Sequence, residues 1–193
     1  MNEELLKELK GLLPWVVVAA IAVGGYYGVK NHLAEKKIAA SAAVVNTYTV
    51  EELESAVSKF GSTASGGALK IRLAKKYFDA GRYQEALDQY EALVKDAPDG
   101  FADVPVVGRA QALEALGKYA EAQKAYDDFA AANPKSYLTL TAQLGAARSL
   151  AQSGDAKTAL ERLAELTTAV GGDEIAKARI ATTEDCIRRM NQK

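Results

Sequence analysis

The sequence predicts an all-α chain: a single N-terminal transmembrane helix, then an α-solenoid of about three helical hairpins and a capping helix. Three observations predict this class. An uncharged apolar run lies near the N-terminus, a block of residues recurs at a nearly constant interval, and helix-forming Ala, Leu, Glu, Lys and Gln dominate the long segments. The alternation of Val, Ile and Thr that would indicate strands is almost lacking.

Six segments follow one another along the predicted chain. They are a short polar N-terminus (1–10), a transmembrane helix (11–29), a helical stalk (30–48), a short helix and loop (49–67), the repeats (68–171) and a C-terminal capping helix (172–193).

The transmembrane prediction depends on residues 11–29, none of which is charged. A helix of that length spans about 28 Å, close to the ~30 Å hydrocarbon core of a bilayer. Trp15 lies near one end and Tyr26 and Tyr27 near the other, as is typical of aromatic belts at the two interfaces. Two lysines flank the N-terminal end and three the C-terminal end, so the positive-inside rule does not choose an orientation and leans only slightly towards a cytoplasmic C-terminal side.

Small residues recur every four positions in this run, at Ala20, Gly24 and Gly28. Such spacing lets two transmembrane helices approach closely. We therefore expect these residues to pack against another helix, either in a different membrane protein or in a homo-oligomer.

Two alternatives to a membrane span remain open. A signal peptide cleaved near Ala20-Ile21-Ala22 would release a secreted repeat protein, but acidic residues offset the positive leader that such peptides require. A buried soluble helix would carry a polar stripe, which the run lacks.

The solenoid prediction depends on self-similarity. Residues 81–87 (GRYQEAL) and 117–123 (GKYAEAQ) share Gly, Tyr, Glu and Ala at an offset of 36, and the same offset relates Tyr90 to Tyr126 and Pro98 to Pro134. A third copy, residues 154–160, follows 37 residues later.

Each recurring residue type has a physical role in a helix–turn–helix hairpin. The glycines suit a left-handed turn between two helices, the alanines let the two helices pack closely, and the prolines end the second helix. A hairpin of this kind buries its apolar face only by stacking on its neighbours. The positions concerned are Gly81, Gly117 and Gly154 for the turns, and Ala86, Ala122 and Ala159 for the close packing.

Local signals place the elements that flank the repeats. Thr49 and Glu52 form a capping-box pattern that predicts a short helix through Phe60, followed by a small-residue loop over 61–67. At the other end, the segment from Ile175 to Met190 has apolar residues at Ile175, Ile180 and Ile187 among many charges and predicts a solvating end cap.

The pattern over residues 68–171 resembles the tetratricopeptide repeat family. The order of the whole chain, with Lys59-Phe60 and then Gly67-Ala68-Leu69 leading into the first repeat, is similar to the YfgM-like tetratricopeptide proteins of bacterial envelopes. That resemblance implies a single-pass protein of the bacterial inner membrane whose repeats face the periplasm. It also implies partners such as the SecYEG translocon and the chaperone PpiD.

Stacked repeats present a groove lined by the first helix of each hairpin, and we expect partners to bind there. The predicted partner-binding residues are Ile71, Lys75, Phe78, Asp79, Gln111, Glu114, Arg148 and Gln152. Converting Lys75 and Arg148 to Glu is predicted to abolish capture of a partner.

The residues give no indication of catalysis. There is one His (His32), one Cys (Cys186), no metal-ligand spacing and no phosphate loop, so we expect neither an enzyme nor a cofactor. Balanced charge, 24 basic against 25 acidic residues, gives no reason to expect a nucleic-acid partner. The predicted function is a membrane-anchored scaffold that binds protein partners or translocating clients. A structural subunit of an envelope secretion or pilus assembly machine is the alternative.

Overall fold

The computed structural model describes residues 3–47, 49–63, 65–95, 97 and 100–192; within its first helix, the side chains of 3–17, 19, 20 and 46 are not described. Helices α1 to α9 account for nearly all of these residues. Their bounds are α1 Glu3–Asn46, α2 Val50–Phe60, α3 Gly66–Asp79, α4 Tyr83–Lys95, α5 Asp103–Ala115, α6 Tyr119–Ala132, α7 Thr139–Gln152, α8 Ala156–Ala169 and α9 Glu174–Met190.

Helix α1 is continuous over 44 residues, or about 66 Å. It runs without a break through the segments predicted as polar N-terminus, span and stalk. Its C-terminal end packs on the first hairpin, where Ala40 is completely buried and Ala43 and Val44 contact the core. Arg72 of α3 donates a hydrogen bond of 2.7 Å to the Thr47 carbonyl just beyond the helix. The repeats therefore hold the end of α1 in place.

The preceding part of α1 is exposed, although it carries many large apolar side chains. Between residues 18 and 38 the exposed ones are Val18, Ile21, Val23, Tyr26, Tyr27, Val29, Leu33 and Ile38. Among the described residues, no helix is both long and apolar enough to cross a membrane. This finding does not support the predicted span over 11–29; the side chains of 11–17, 19 and 20, and so those of Trp15 and Ala20, lie outside the description.

The short second helix begins where the sequence predicts. The Thr49 hydroxyl accepts a hydrogen bond from the Glu52 backbone N–H, and the Glu52 carboxylate accepts one from the Thr49 N–H, so the capping box is confirmed. Helix α3 starts at Gly66, so the loop after α2 is shorter than the predicted 61–67.

Three hairpins follow in the described chain: α3–α4, α5–α6 and α7–α8. The turn glycines Gly81, Gly117 and Gly154 have φ of 76°, 76° and 109°, which confirms the predicted left-handed turns. Ala86, Ala122 and Ala159 are completely buried, as predicted for close helix packing. Helix α6 ends at Ala132, just before Pro134, while Pro98 lies outside the described residues.

Successive hairpins are joined by an aromatic ring that lies on a glycine. Tyr90 of α4 lies against Gly108 of α5, and one repeat later Tyr126 of α6 lies against Gly145 of α7. A Cβ atom added to either glycine would come within 2.6 Å of the ring. Each glycine therefore permits the close approach of helices from neighbouring repeats.

Helix α9 packs on the third hairpin and ends the solenoid. Ile180 and Ile187 are buried in a cluster with Leu144 and Leu163, as an end cap requires. Ile175, however, is 78% exposed and does not share their burial. It is the second residue of α9, whose backbone Asp173 caps, and it lies five positions before Ile180, which is about 1.4 helical turns and puts it on a different face.

Candidate functional site

A cavity of about 650 Å³ lies along the first helices of the three hairpins. Helices α3, α5 and α7 supply most of its wall, and Tyr90 of α4 and Leu138 before α7 complete it. The lining residues are Lys75, Phe78, Tyr90, Val104, Val107, Gly108, Gln111, Glu114, Ala115, Leu138, Arg148 and Gln152. We call this cavity the groove.

The groove brings together six of the eight predicted partner-binding residues: Lys75, Phe78, Gln111, Glu114, Arg148 and Gln152. The other two do not line it. Ile71 is half-buried against the hydrophobic core, and Asp79 forms an ion pair with Lys75. Whether any of the eight contacts a partner stays a prediction.

Repeat symmetry arranges the groove in rows. Lys75, Gln111 and Arg148 occupy equivalent positions in the three repeats, because they are separated by the repeat offsets of 36 and 37. Four residues further along each helix, the equivalent positions hold an acidic, a small and an amide side chain in turn. At these two positions the central repeat contributes the uncharged Gln111 and Ala115, and its charged lining residue is Glu114.

One ion pair is built into the floor of the groove. Arg148 donates two hydrogen bonds of 2.9 Å to Glu114, one to each carboxylate oxygen, and the Tyr126 hydroxyl donates a third of 3.0 Å. The side chain of Glu114 is only 11% exposed and that of Arg148 is 32% exposed. Bidentate pairing of this kind is strong and geometrically specific, so the cluster joins α5, α6 and α7.

Burial and charge shift the pKa values in this cluster. Burial raises the pKa of Tyr126 well above its usual range, and the neighbouring Glu114 carboxylate raises it further. For Arg148, burial by itself lowers the pKa, but the hydrogen bonds and negative charge of Glu114 outweigh it, so the net pKa is raised. Tyr126 therefore remains a neutral donor and Arg148 a cation.

The second ion pair of the site is exposed. Lys75 Nζ lies 3.0 Å from Asp79, and the two side chains are 69% and 48% exposed. Exposed pairs at i and i+4 on a helix contribute only about 0.3–0.5 kcal/mol. Lys75 is thus free to exchange Asp79 for another partner, whereas Arg148 is held by Glu114.

Because Glu114 holds Arg148, converting Lys75 and Arg148 to Glu does not test partner binding alone. Arg148→Glu would place a second carboxylate beside Glu114 in a largely buried position, and would destabilise the domain as well as alter the groove. Lost capture by that variant would not identify a ligand contact. Exposed groove positions provide cleaner tests.

Six lining residues were not among the predicted eight. They are Tyr90, Val104, Val107, Gly108, Ala115 and Leu138. The repeat offset itself could have identified Ala115, which is equivalent to Asp79 and Gln152. Gly108 also lines the groove, at the point where the Tyr90 ring of the preceding repeat packs on α5.

The residues that carry reactive groups lie apart from the groove. His32 is exposed on α1 and Cys186 is half-buried on α9. Within the described part of the chain, no group of three or more His, Cys, Asp or Glu side chains is placed to hold a metal ion.

Comparison with known families agrees with the hairpin register. A tetratricopeptide repeat model matches residues 71–102 and 107–174, which together make up just over half of the chain. The chain belongs to the tetratricopeptide repeat family. No curated protein and no solved structure matched it.

Membership of the tetratricopeptide repeat family indicates what kind of partner the groove can bind. Tetratricopeptide repeats generally act as non-catalytic scaffolds that bind other proteins, and the matched segments contain the helices that line the groove. The tetratricopeptide domain is therefore a protein-interaction scaffold, and the groove is its candidate binding surface.

Proposed function

We propose that this protein is a membrane-anchored scaffold of the YfgM-like type, which binds protein partners or translocating clients in its groove at the bacterial cell envelope. The observation that carries the proposal is the cavity formed jointly by the first helices of the three tetratricopeptide hairpins. Its volume of about 650 Å³ is comparable to that of pockets that enclose a drug-sized ligand, about 300–1,000 Å³.

The membrane anchor is the second part of the proposal. Its support is the uncharged run of residues 11–29, together with the large apolar side chains that α1 exposes beyond residue 18. Contiguous apolar surface without a covering element is typical of a membrane or protein contact. The docked C-terminal end of α1 would then hold the repeats close to the membrane surface.

Extraction of membranes with alkaline carbonate tests the anchor. The full-length chain should stay in the membrane pellet, and a variant in which Val18, Ile21 and Val23 are changed to Glu should move to the supernatant. Release of the unaltered chain by carbonate would contradict the anchor.

Periplasmic location and translocon or chaperone partners rest on the likeness to YfgM-like proteins, since the flanking lysines do not choose a side. Labelling of a single introduced cysteine tests which side of the membrane the repeats face. Lys157 is 87% exposed on α8, so Lys157→Cys in a Cys186→Ala background presents one accessible thiol. Labelling of intact cells by a maleimide that crosses only the outer membrane is expected.

Site-specific photocrosslinking in intact membranes tests the groove. A photoreactive residue at Gln152, which is exposed and lines the groove, should capture a defined partner that mass spectrometry identifies. The matched control is the same residue at Ala120, which is exposed on α6 and does not line the groove. Identical adducts from both positions would show that the groove is not the contact surface.

A structural subunit of an envelope machine is a second candidate, and one observation favours testing it. A Cβ atom added to Gly24 or Gly28 meets no atom within 4 Å, so neither glycine serves the packing of this chain itself. If α1 packs on a helix of another protein, Gly24→Leu with Gly28→Leu should disrupt the assembly while the repeats remain folded. In that variant, crosslinking from Gln152 should persist only if the groove binds its partner without help from α1.

A further inference from the structure

We infer that the groove selects an uncharged, extended peptide segment with bulky apolar side chains, and not an acidic segment or a free C-terminal carboxylate. This inference rests on the proposed function, because it names the class of partner for the same groove. Three features of the lining carry it: a closed ion pair, an apolar wall and two unoccupied amides.

The closed ion pair removes the strongest cation of the groove from ligand binding. Both carboxylate oxygens of Glu114 are engaged by Arg148, and Tyr126 donates to one of them. Other guanidinium N–H groups of Arg148 remain, but Glu114 already balances its charge, and a ligand carboxylate there would lie beside a second carboxylate, which is unfavourable. The other lining cation, Lys75, is neutralised by Asp79 and is too exposed to bind an anion strongly by itself.

The charges of the site therefore cancel in two pairs. Lys75 pairs with Asp79 on α3, and Arg148 of α7 pairs with Glu114 of α5. A neutral groove offers no electrostatic complement to a strongly charged segment, and burying an unpaired ligand charge there would oppose binding.

The wall between the two pairs is apolar. Seven of the twelve lining residues are aliphatic, aromatic or glycine. Phe78, Val104 and Leu138 are only half-buried, so they retain surface that a ligand can cover. Burial of apolar surface contributes roughly 25 cal/mol per Å², which makes bulky apolar side chains the favoured occupants.

The two amides account for the extended conformation. Gln111 and Gln152 line the groove, and neither amide has a hydrogen-bond partner among the described residues. Each amide offers a carbonyl acceptor and an N–H donor. An extended peptide presents unpaired backbone N–H and C=O groups that match them, whereas a helix satisfies its own.

Fluorescence anisotropy with the purified full-length chain tests this inference. The probes are three labelled decapeptides of matched length: one with alternating Leu and Ser and an amidated C-terminus, the same peptide with a free carboxylate, and one with Glu in place of Ser. A blank contains every buffer component, detergent included. Binding is measured at ~50 and ~500 mM NaCl, a range that strongly screens exposed charges.

We expect the amidated apolar peptide to bind at least about tenfold more tightly than the Glu peptide, with less than about a twofold change in Kd across the salt range. Ala115→Glu, which puts a charge on an exposed groove position, should weaken binding at least about tenfold. Ala120→Glu is the matched control outside the groove and should leave Kd unchanged. Lys75→Gln should change Kd by less than about twofold. Circular dichroism verifies that each variant is folded.

The other outcomes separate this inference from the proposed function. Tighter binding of the Glu or free-carboxylate peptide, lost in Lys75→Gln and weakened by salt, would overturn the inference but retain a protein-binding groove. A dimer that Ala115→Glu dissociates would also overturn it, because a second copy would then occupy the groove. Peptide binding that Ala115→Glu leaves unchanged would overturn both, since the ligand would lie elsewhere.

Discussion

Gly145 allows the Tyr126 ring to lie directly on helix α7, and Gly145→Ala tests how closely the second and third repeats must pack. The added Cβ would lie 2.5 Å from Cζ of the ring. Tyr126 is 1% exposed and its hydroxyl donates to Glu114, so the ring cannot move aside without losing that hydrogen bond.

The magnitude follows from three terms. Overpacking a core by one methyl group costs about 1–3 kcal/mol, and loss of a hydrogen bond to a charged group costs about 1.5–3 kcal/mol. Alanine gains about 1 kcal/mol over glycine in helix propensity. The net expectation is a loss of about 1.5–5 kcal/mol in the free energy of unfolding.

Urea unfolding followed by circular dichroism measures this loss, and a double-mutant cycle assigns it. In a Tyr126→Leu background the ring is absent, so Gly145→Ala should cost at least about 1 kcal/mol less there. A Gly145→Ala protein as stable as the unaltered chain would show that the interface between α6 and α7 accommodates the added methyl group. An equal loss in both backgrounds would show that the ring is not the obstacle.

Three further predictions concern a turn, pH and the buried ion pair. Gly81→Ala should lower the free energy of unfolding by about 1–2 kcal/mol in urea titrations, because φ at residue 81 is 76° and alanine is strained in that conformation. An unchanged free energy of unfolding would show that alanine adopts this turn without strain. Burial, with a smaller contribution from Asp79, raises the pKa of Tyr90 from 10.0 to about 12, so the neutral phenol stabilises the fold fully below pH 10 and this stabilisation is lost as pH rises towards 12. Urea midpoints at pH 9 and 11.5 should therefore fall less for Tyr90→Phe than for the unaltered chain, and equal falls would contradict it. Glu114→Ala should lower the free energy of unfolding by about 2–4 kcal/mol because Arg148 loses its partner, while the double variant with Arg148→Met should recover part of that loss; no recovery would contradict the pairing.

The repeat register could be predicted from the sequence because local chemistry specifies it. A left-handed turn favours glycine, so Gly81, Gly117 and Gly154 mark the hairpins whatever surrounds them. The capping box at Thr49 and Glu52 is likewise satisfied within one helical turn. The family match agrees with this register.

The groove was predictable only in outline. Alignment on the turn glycines identified the helix face and six of the lining residues. It did not identify Tyr90, because that side chain comes from the second helix and reaches the groove only through the gap that Gly108 leaves. Nor did it separate Ile71, which turns towards the core, from its neighbours on α3.

By itself, the sequence determined the hairpins, their order and the face of each that lines the groove, because these depend on periodicity and turn chemistry. The tertiary structure alone decided that Glu114 pairs with Arg148, 34 residues away, and that Ile175 is exposed while Ile180 is buried. Such outcomes depend on the rotation and spacing of helices that meet only after folding. Those two quantities fix which charges remain open to a partner.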